Sequence, residues 1–172
     1  MPTILSHPAT ALLKTWFRDV PPRVVTFGAL AAILPDADVA AFAVGIPYGH
    51  PLGHRGFTHS IVFAVLVAAL ATLLLRPPKR LPAFTFLFLC TMSHAVFDAL
   101  TNGGLGVAFF SPFDNRRYFF PWQPIEVSPI GAAFFSRRGM SVLLSEVLWV
   151  WTPLIVVGVA GWLVRRPKAK AR

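Results

Sequence analysis

Ionised side chains are scarce in this chain of 172 residues. Lys, Arg, Asp and Glu make up 13% of it and hydrophobic residues 55%, whereas an ordinary soluble domain is roughly 25% charged. That charge density is too low to coat a water-soluble globule of this size, and the apolar content excludes a disordered chain. Acids are the rarest charges: seven Asp and Glu stand against 16 Lys and Arg, for a formal net charge of +9. The single cysteine, Cys90, lies in an apolar run, which excludes a disulfide framework and a cysteine-based zinc motif. The first ten residues contain no Lys or Arg, so no cleavable signal peptide is expected. Internal repeats and low-complexity tracts are also missing.

What the chain has instead is long apolar runs. A bilayer-spanning helix needs about 20 mostly apolar residues. Residues 57–75, 81–100 and 147–164 each meet that requirement, and Pro153 predicts a kink in the third. Residues 24–46 are apolar too, but Pro35, Asp36 and Asp38 interrupt them, which predicts two half-helices meeting at a break. Residues 8–17 read as a short opening helix with Pro8 at its first position and Ser6 or His7 as its cap. Residues 101–146, rich in Gly, Pro, Phe and Arg, read as an irregular interfacial cap. The expected fold is therefore all-α: one membrane-embedded helical bundle over residues 1–164, with short or broken helices, and a basic tail at 165–172.

The positive charges give the expected orientation. Arg76, Lys79 and Arg80 lie in one short loop and five more positives in the tail; Lys14, Arg18 and Arg23 can join them. Arg55, Arg116, Arg117, Arg137 and Arg138 remain for the other side. Because Lys and Arg accumulate on the cytoplasmic side, the C-terminus and the 76–80 loop are expected there. The membrane surface is the partner that meets such charges beside apolar segments. They do not interleave with aromatics along a groove-facing surface, so nucleic-acid binding is not expected.

Ionisable groups inside apolar helices cost about 2.5–3.5 kcal/mol each on insertion scales and rarely persist without a partner. Here they form four small groups: His7; Asp36 and Asp38; His54 and His59; His94 and Asp98. His94 and Asp98 are spaced i,i+4 and share a helix face. His54 and His59 would lie about 140° apart on a continuous helix, so His54 is expected in a loop between Gly53 and Gly56, with His59 in the first turn. A lone His94 would read as a hydrogen-bonded core histidine, and Asp36 with Asp38 as a cap and turn. Asp19, Asp114 and His50 carry ordinary turn and loop signals. Topology distinguishes the main groups from these. Runs 57–75 and 81–100 are joined by five residues and must form an antiparallel hairpin, which puts His54 and His59 beside His94 and Asp98. The helix after Arg23 delivers Asp36 and Asp38 to the same level, and His7 can return to it. One outward-facing cluster is expected.

Imidazoles and carboxylates suit zinc and other first-row divalent ions; manganese and magnesium remain compatible. Seven candidate ligands exceed the four of one structural zinc, and the mixture fits a site with two ions. A metal pair can activate water and stabilise displacement at phosphorus, with Asp36, Asp38, His59 and Asp98 as the catalytic candidates.

The segments LPDADV (34–39), GHRGFTHS (53–60), SHAVFDALTNGG (93–104) and SPFDNRRYFFPWQPI (111–125) resemble the YdjM-like family of inner-membrane proteins, described as membrane-bound metal-dependent hydrolases. The resemblance runs from about His7 to Ile125. It implies His7, Asp36, Asp38, His54, His59, His94 and Asp98 as metal-site positions, an inner-membrane location, and Arg55, Arg116 and Arg117 as groups that bind an anionic substrate. The expected function is thus a metal-dependent membrane hydrolase acting on phosphoesters, of lipids in the first instance. The alternative is a non-catalytic membrane metal-binding protein or transporter using the same ligands.

Overall fold

Prolines and extended caps divide the chain into short helices. The computed structural model describes residues 2–129 and 134–165; of the 165–172 tail, only Arg165 is among them. The chain opens with a 3-10 helix, His7–Trp16, with Pro8 in its first turn. After the extended Pro21 comes α1, Pro22–Ala31, and then a second 3-10 stretch, Leu34–Val44, which ends at Gly45 with φ 80°. The expected break at Pro35 is therefore present. A 3-10 turn, Phe57–His59, precedes α2, Ile61–Leu75. α3 is Arg80–Ala99, α4 is Arg137–Glu146, and a π turn, Val147–Trp151, joins α4 to α5, Thr152–Arg165. Among the described residues there is no strand, only isolated bridges between Thr101 and Ile125 and between Val107 and Tyr118.

Three helical stretches are long and apolar enough to cross a membrane: Pro22–Val44, Arg80–Ala99 and Arg137–Arg165. Two sequence expectations change. The 57–75 run yields a shorter helix, because Ser60 is extended and its side chain caps Phe63 N–H at 3.1 Å, so the helix cannot begin before Ile61. Part of the 101–146 segment is helical: Arg137–Glu146 runs into the third long stretch. Its sequence, RRGMSVLLSE, is too polar for its helix to show in an apolar scan.

α2 and α3 form the expected hairpin, and α1 packs against α3. The contact faces are built from small residues. α2 buries Ala64, Ala68 and Ala71 while Leu66, Leu70, Leu73 and Leu74 point outward. Large residues outside and small ones between helices is the arrangement a lipid solvent allows, since close approach rather than apolar burial holds such helices together. The core centres on Val24, Phe86, Leu87 and Cys90. Positive side chains close the end opposite the polar cluster: Arg23 donates to the carbonyls of Leu75 and Arg76, Arg18 to that of Arg165, and Lys79 pairs with Asp19. Cationic donors at helix C-termini also complement the helix dipoles.

The opening helix lies along α5, where Trp16 Nε1 donates to Val157 O at 2.9 Å. A Cβ on Gly161 would come within 2.6 Å of Trp16 Nε1 and 2.7 Å of Thr15 Oγ1, whereas one on Gly158 meets only ordinary contacts at 3.5 Å. Gly161→Ala should therefore cost about 1–3 kcal/mol through overpacking, and Gly158→Ala should be neutral or slightly stabilising. Thermal unfolding of both variants in detergent checks this; equal melting temperatures would remove the Trp16 contact as the cause.

Candidate metal centre

Local backbone geometry brings the carboxylates together. On an α-helix Asp36 and Asp38 would lie about 160° apart; three residues per turn, as in a 3-10 helix, reduces that to about 120°. The second 3-10 stretch thus buries both on the side facing α3 and the Phe57–His59 turn. The loop before that turn is equally constrained. A Cβ on Gly53 would sit 2.3 Å from Pro47 O and one on Gly56 2.1 Å from Pro51 O, so only glycine permits the close backbone approach. Between them Arg55 adopts φ 62°, a left-handed conformation that costs a non-glycine residue about 1–3 kcal/mol and persists only where surrounding contacts impose it.

Those contacts are extensive. Arg55 is fully buried. Its Nε donates to Asp98 Oδ2 at 3.0 Å, one terminal nitrogen to the carbonyls of Gly103 and Leu105, and the other to Thr101 Oγ1. Arg117 is similarly engaged, with the carbonyls of Tyr48, His50, His54 and Gly106 as acceptors. Arg116 is exposed and pairs with Asp114, whose carboxyl is held below the usual range by that guanidinium. Burial raises the Tyr48 phenol above its ordinary pKa. Two of the three arginines thus face protein acceptors and brace the loops around the cluster.

All seven expected residues lie together, six of them in two groups with metal-ligand spacing and His7 beside them. Asp36, His59, His94 and Asp98 form one group with ligand atoms within 4.8 Å of one another, and Asp38, His54 and His59 form another. His7 stacks on His94, ring centroids 3.8 Å apart, with neither of its nitrogens hydrogen-bonded. His7, His94 and Asp98 are 0% exposed, while the side chains of Asp36 and His54 retain 9% and 4%, so the cluster is least enclosed beside Asp36 and His54.

Hydrogen bonding fixes where the imidazole protons sit. His94 Nδ1 lies 2.8 Å from Ala32 O; a carbonyl only accepts, so Nδ1 carries the hydrogen. In the neutral ring Nε2 then presents a lone pair, and it faces Asp36 Oδ1 at 3.2 Å and Asp98 Oδ2 at 3.9 Å. His59 repeats the pattern. Thr58 Oγ1 donates to Asp38 Oδ2 at 2.6 Å and can accept from His59 Nδ1 at 3.0 Å. His59 Nε2 then faces Asp98 Oδ2 at 3.3 Å and Asp36 Oδ1 at 3.9 Å, without a hydrogen bond. Each Nε2 meets these carboxylates either through a second ring proton, as the 3.2 Å His94–Asp36 contact allows, or as a lone pair with a cation between them. The donor set therefore fits a divalent metal ion, and the outer bonds to Ala32 O, Thr58 and Asp38 are of the kind that orient metal-binding histidines. Thr58 belongs to this outer layer.

A family model described as YdjM inner membrane protein matches residues 4–167. Inner membrane protein YbcI of Escherichia coli (strain K12) is 39% identical over 170 residues, covering 94% of this chain and 98% of that protein. No solved structure matches.

Removing the guanidinium beside Asp98 tests how the cluster is held. Arg55→Ala should lower the unfolding free energy by about 3–5 kcal/mol, the range for breaking a buried pair. The Arg55→Ala/Asp98→Ala double variant should lose clearly less than the sum of the single losses in chemical denaturation. Simple additivity would mean that Arg55 serves the loop carbonyls alone.

Proposed function

We propose that this chain, which belongs to the YdjM inner membrane protein family, is a metal-dependent hydrolase that cleaves phosphoesters at a membrane surface. The observation that carries the reading is the gathering of His59 Nε2 and His94 Nε2 with the Asp36 and Asp98 carboxylates about one volume. Zinc fits this set best, with two nitrogen and two carboxylate donors. A zinc-type ion supplies an acidified water and charge stabilisation at the ester.

The residues divide the remaining work. Asp36, His59, His94 and Asp98 hold the ion, and Asp38 keeps the His59 proton on Nδ1. His54 lies with Nδ1 2.7 Å from Asp38 Oδ1, so this dyad, on the open side of the cluster, is the proton acceptor for an attacking water. In the tautomer described above, His59 Nδ1 is not free to bind a second ion, which favours one metal over two. Arg55 orients Asp98; Arg117 fixes the loop that carries His54. A substrate approaches past Asp36 and His54 from the end opposite Arg23, Arg76 and Lys79. The positive-inside bias makes that the outer face, with a cytoplasmic C-terminus.

A transport path would need polar groups through the membrane depth. Thr72, the polar residue of α2, instead donates to Ala68 O within its own helix. The reading is tested by metal analysis of the purified protein and a panel of lipid and soluble phosphoesters with and without chelator. Hydrolysis should require metal, and His59→Ala or Asp98→Ala should abolish both metal binding and turnover. Full activity in either variant sinks the model, and tight metal without hydrolysis of any ester would assign the cluster a non-catalytic role.

A further inference from the structure

Glu146 is a buried acid, 1% exposed, that lies outside the cluster and has no part in the chemistry above. It is the last residue of α4, directly before the π turn. Its carboxylate accepts from the backbone N–H of Thr3, from Thr3 Oγ1 at 2.6 Å and from Ser6 Oγ at 2.5 Å. Trp151, at the other end of the π turn, donates Nε1 to the same Ser6 hydroxyl at 2.9 Å. On an α-helix residues 146 and 151 would point about 140° apart. The i→i+5 turn brings them toward one side, and Thr152 Oγ1 closes it on Val147 O at 2.7 Å.

The three donors to Glu146 all come from the segment that leads into His7. Ser6 occupies the cap position of the opening helix but makes no cap bond there, its hydroxyl being engaged with Glu146. His7, the next residue, has no hydrogen bond from either ring nitrogen and rests by stacking on His94. The place of its imidazole is thus set by a backbone that is docked on the third long helix. A carboxylate buried in an apolar helix is costly and would be an expensive way merely to pack two helices, which the glycines of α5 already do.

We propose that Glu146 is a positioning residue for the metal centre: clamping Thr3 and Ser6, it holds His7 in its stack on His94 and so fixes the imidazole that presents Nε2 to the ion. The proposal rests on the metal reading above.

Full-length protein in detergent, titrated with Co2+ alone, tests it, because the visible spectrum of Co2+ reports its ligand number and geometry. Glu146→Ala should weaken Co2+ binding about 10–100-fold, the range for lost outer-layer support. It should shift the spectrum as His7→Ala does, and the double variant should bind no worse than His7→Ala. Glu146→Gln, which keeps an acceptor at the same reach, should restore most of the affinity. Thr3→Val/Ser6→Ala removes the clamp from the other side and carries the test if Glu146→Ala does not fold. Wild-type Co2+ affinity in the clamp variants, or losses that add to that of His7→Ala, would overturn the proposal. If His59→Ala and His94→Ala lose Co2+ while the clamp variants keep it, only the clamp fails. If the wild type binds no Co2+, the metal reading fails with it.

Discussion

Imidazole nitrogens and carboxylate oxygens directed at one volume inside an apolar bundle are the constraint from which the rest of the structure follows. Nothing in that volume is favourable unless positive charge occupies it, and hydrocarbon surroundings supply none. The chain responds by fixing proton positions from outside. Ala32 O, Thr58 and Asp38 hold hydrogens on the far nitrogens of His94 and His59, which leaves the near nitrogens turned to the carboxylates for a proton or a metal ion. The irregular backbone serves that end. A 3-10 stretch turns Asp36 and Asp38 inward, a strained Arg55 reaches Asp98, and two glycines let the loop close over the ligands.

A lipid solvent explains why polar contacts also carry so much of the architecture. Helices gain little by hiding leucine from lipid, so association depends on close packing and on hydrogen bonds between elements. Alanines line the α2–α3 contact, and Trp16, Arg23 and Glu146 tie elements distant in sequence through main-chain or hydroxyl partners. Several of these ties end on segments that bear ligands. Stability and site geometry are therefore coupled: a change in a bracing residue reaches the cluster through the same bonds that hold the bundle.

The hairpin, the break at Pro35 and the convergence of the seven expected residues were legible in the sequence because each depends on local spacing. Five residues between two apolar runs force an antiparallel pair, and i,i+4 spacing puts His94 and Asp98 on one face. What was not legible depends on which partner a side chain finds. Ser60 ends the helix that the apolar run alone would extend to Phe57. The helix at Arg137–Glu146 is polar enough to pass for loop. Arg55 and Arg117 lie in motifs that suggest anion binding, yet carbonyl oxygens from distant loops take up their donors. Glu146 gave a weak signal, an acid at the start of an apolar run, and its partners lie 140 or more residues away.

Charge bears on how many ions such a cluster holds. Asp36, Asp38 and Asp98 bring three negative charges to the site, and buried Arg55 returns one positive charge through its bond to Asp98. With an ion taking the Nε2 positions of His59 and His94, those rings are neutral and two negative charges remain. One divalent ion balances them, and a buried site in balance avoids the desolvation cost of a net charge. A second ion would leave two positive charges and would have to take a nitrogen from His59 that now carries a proton.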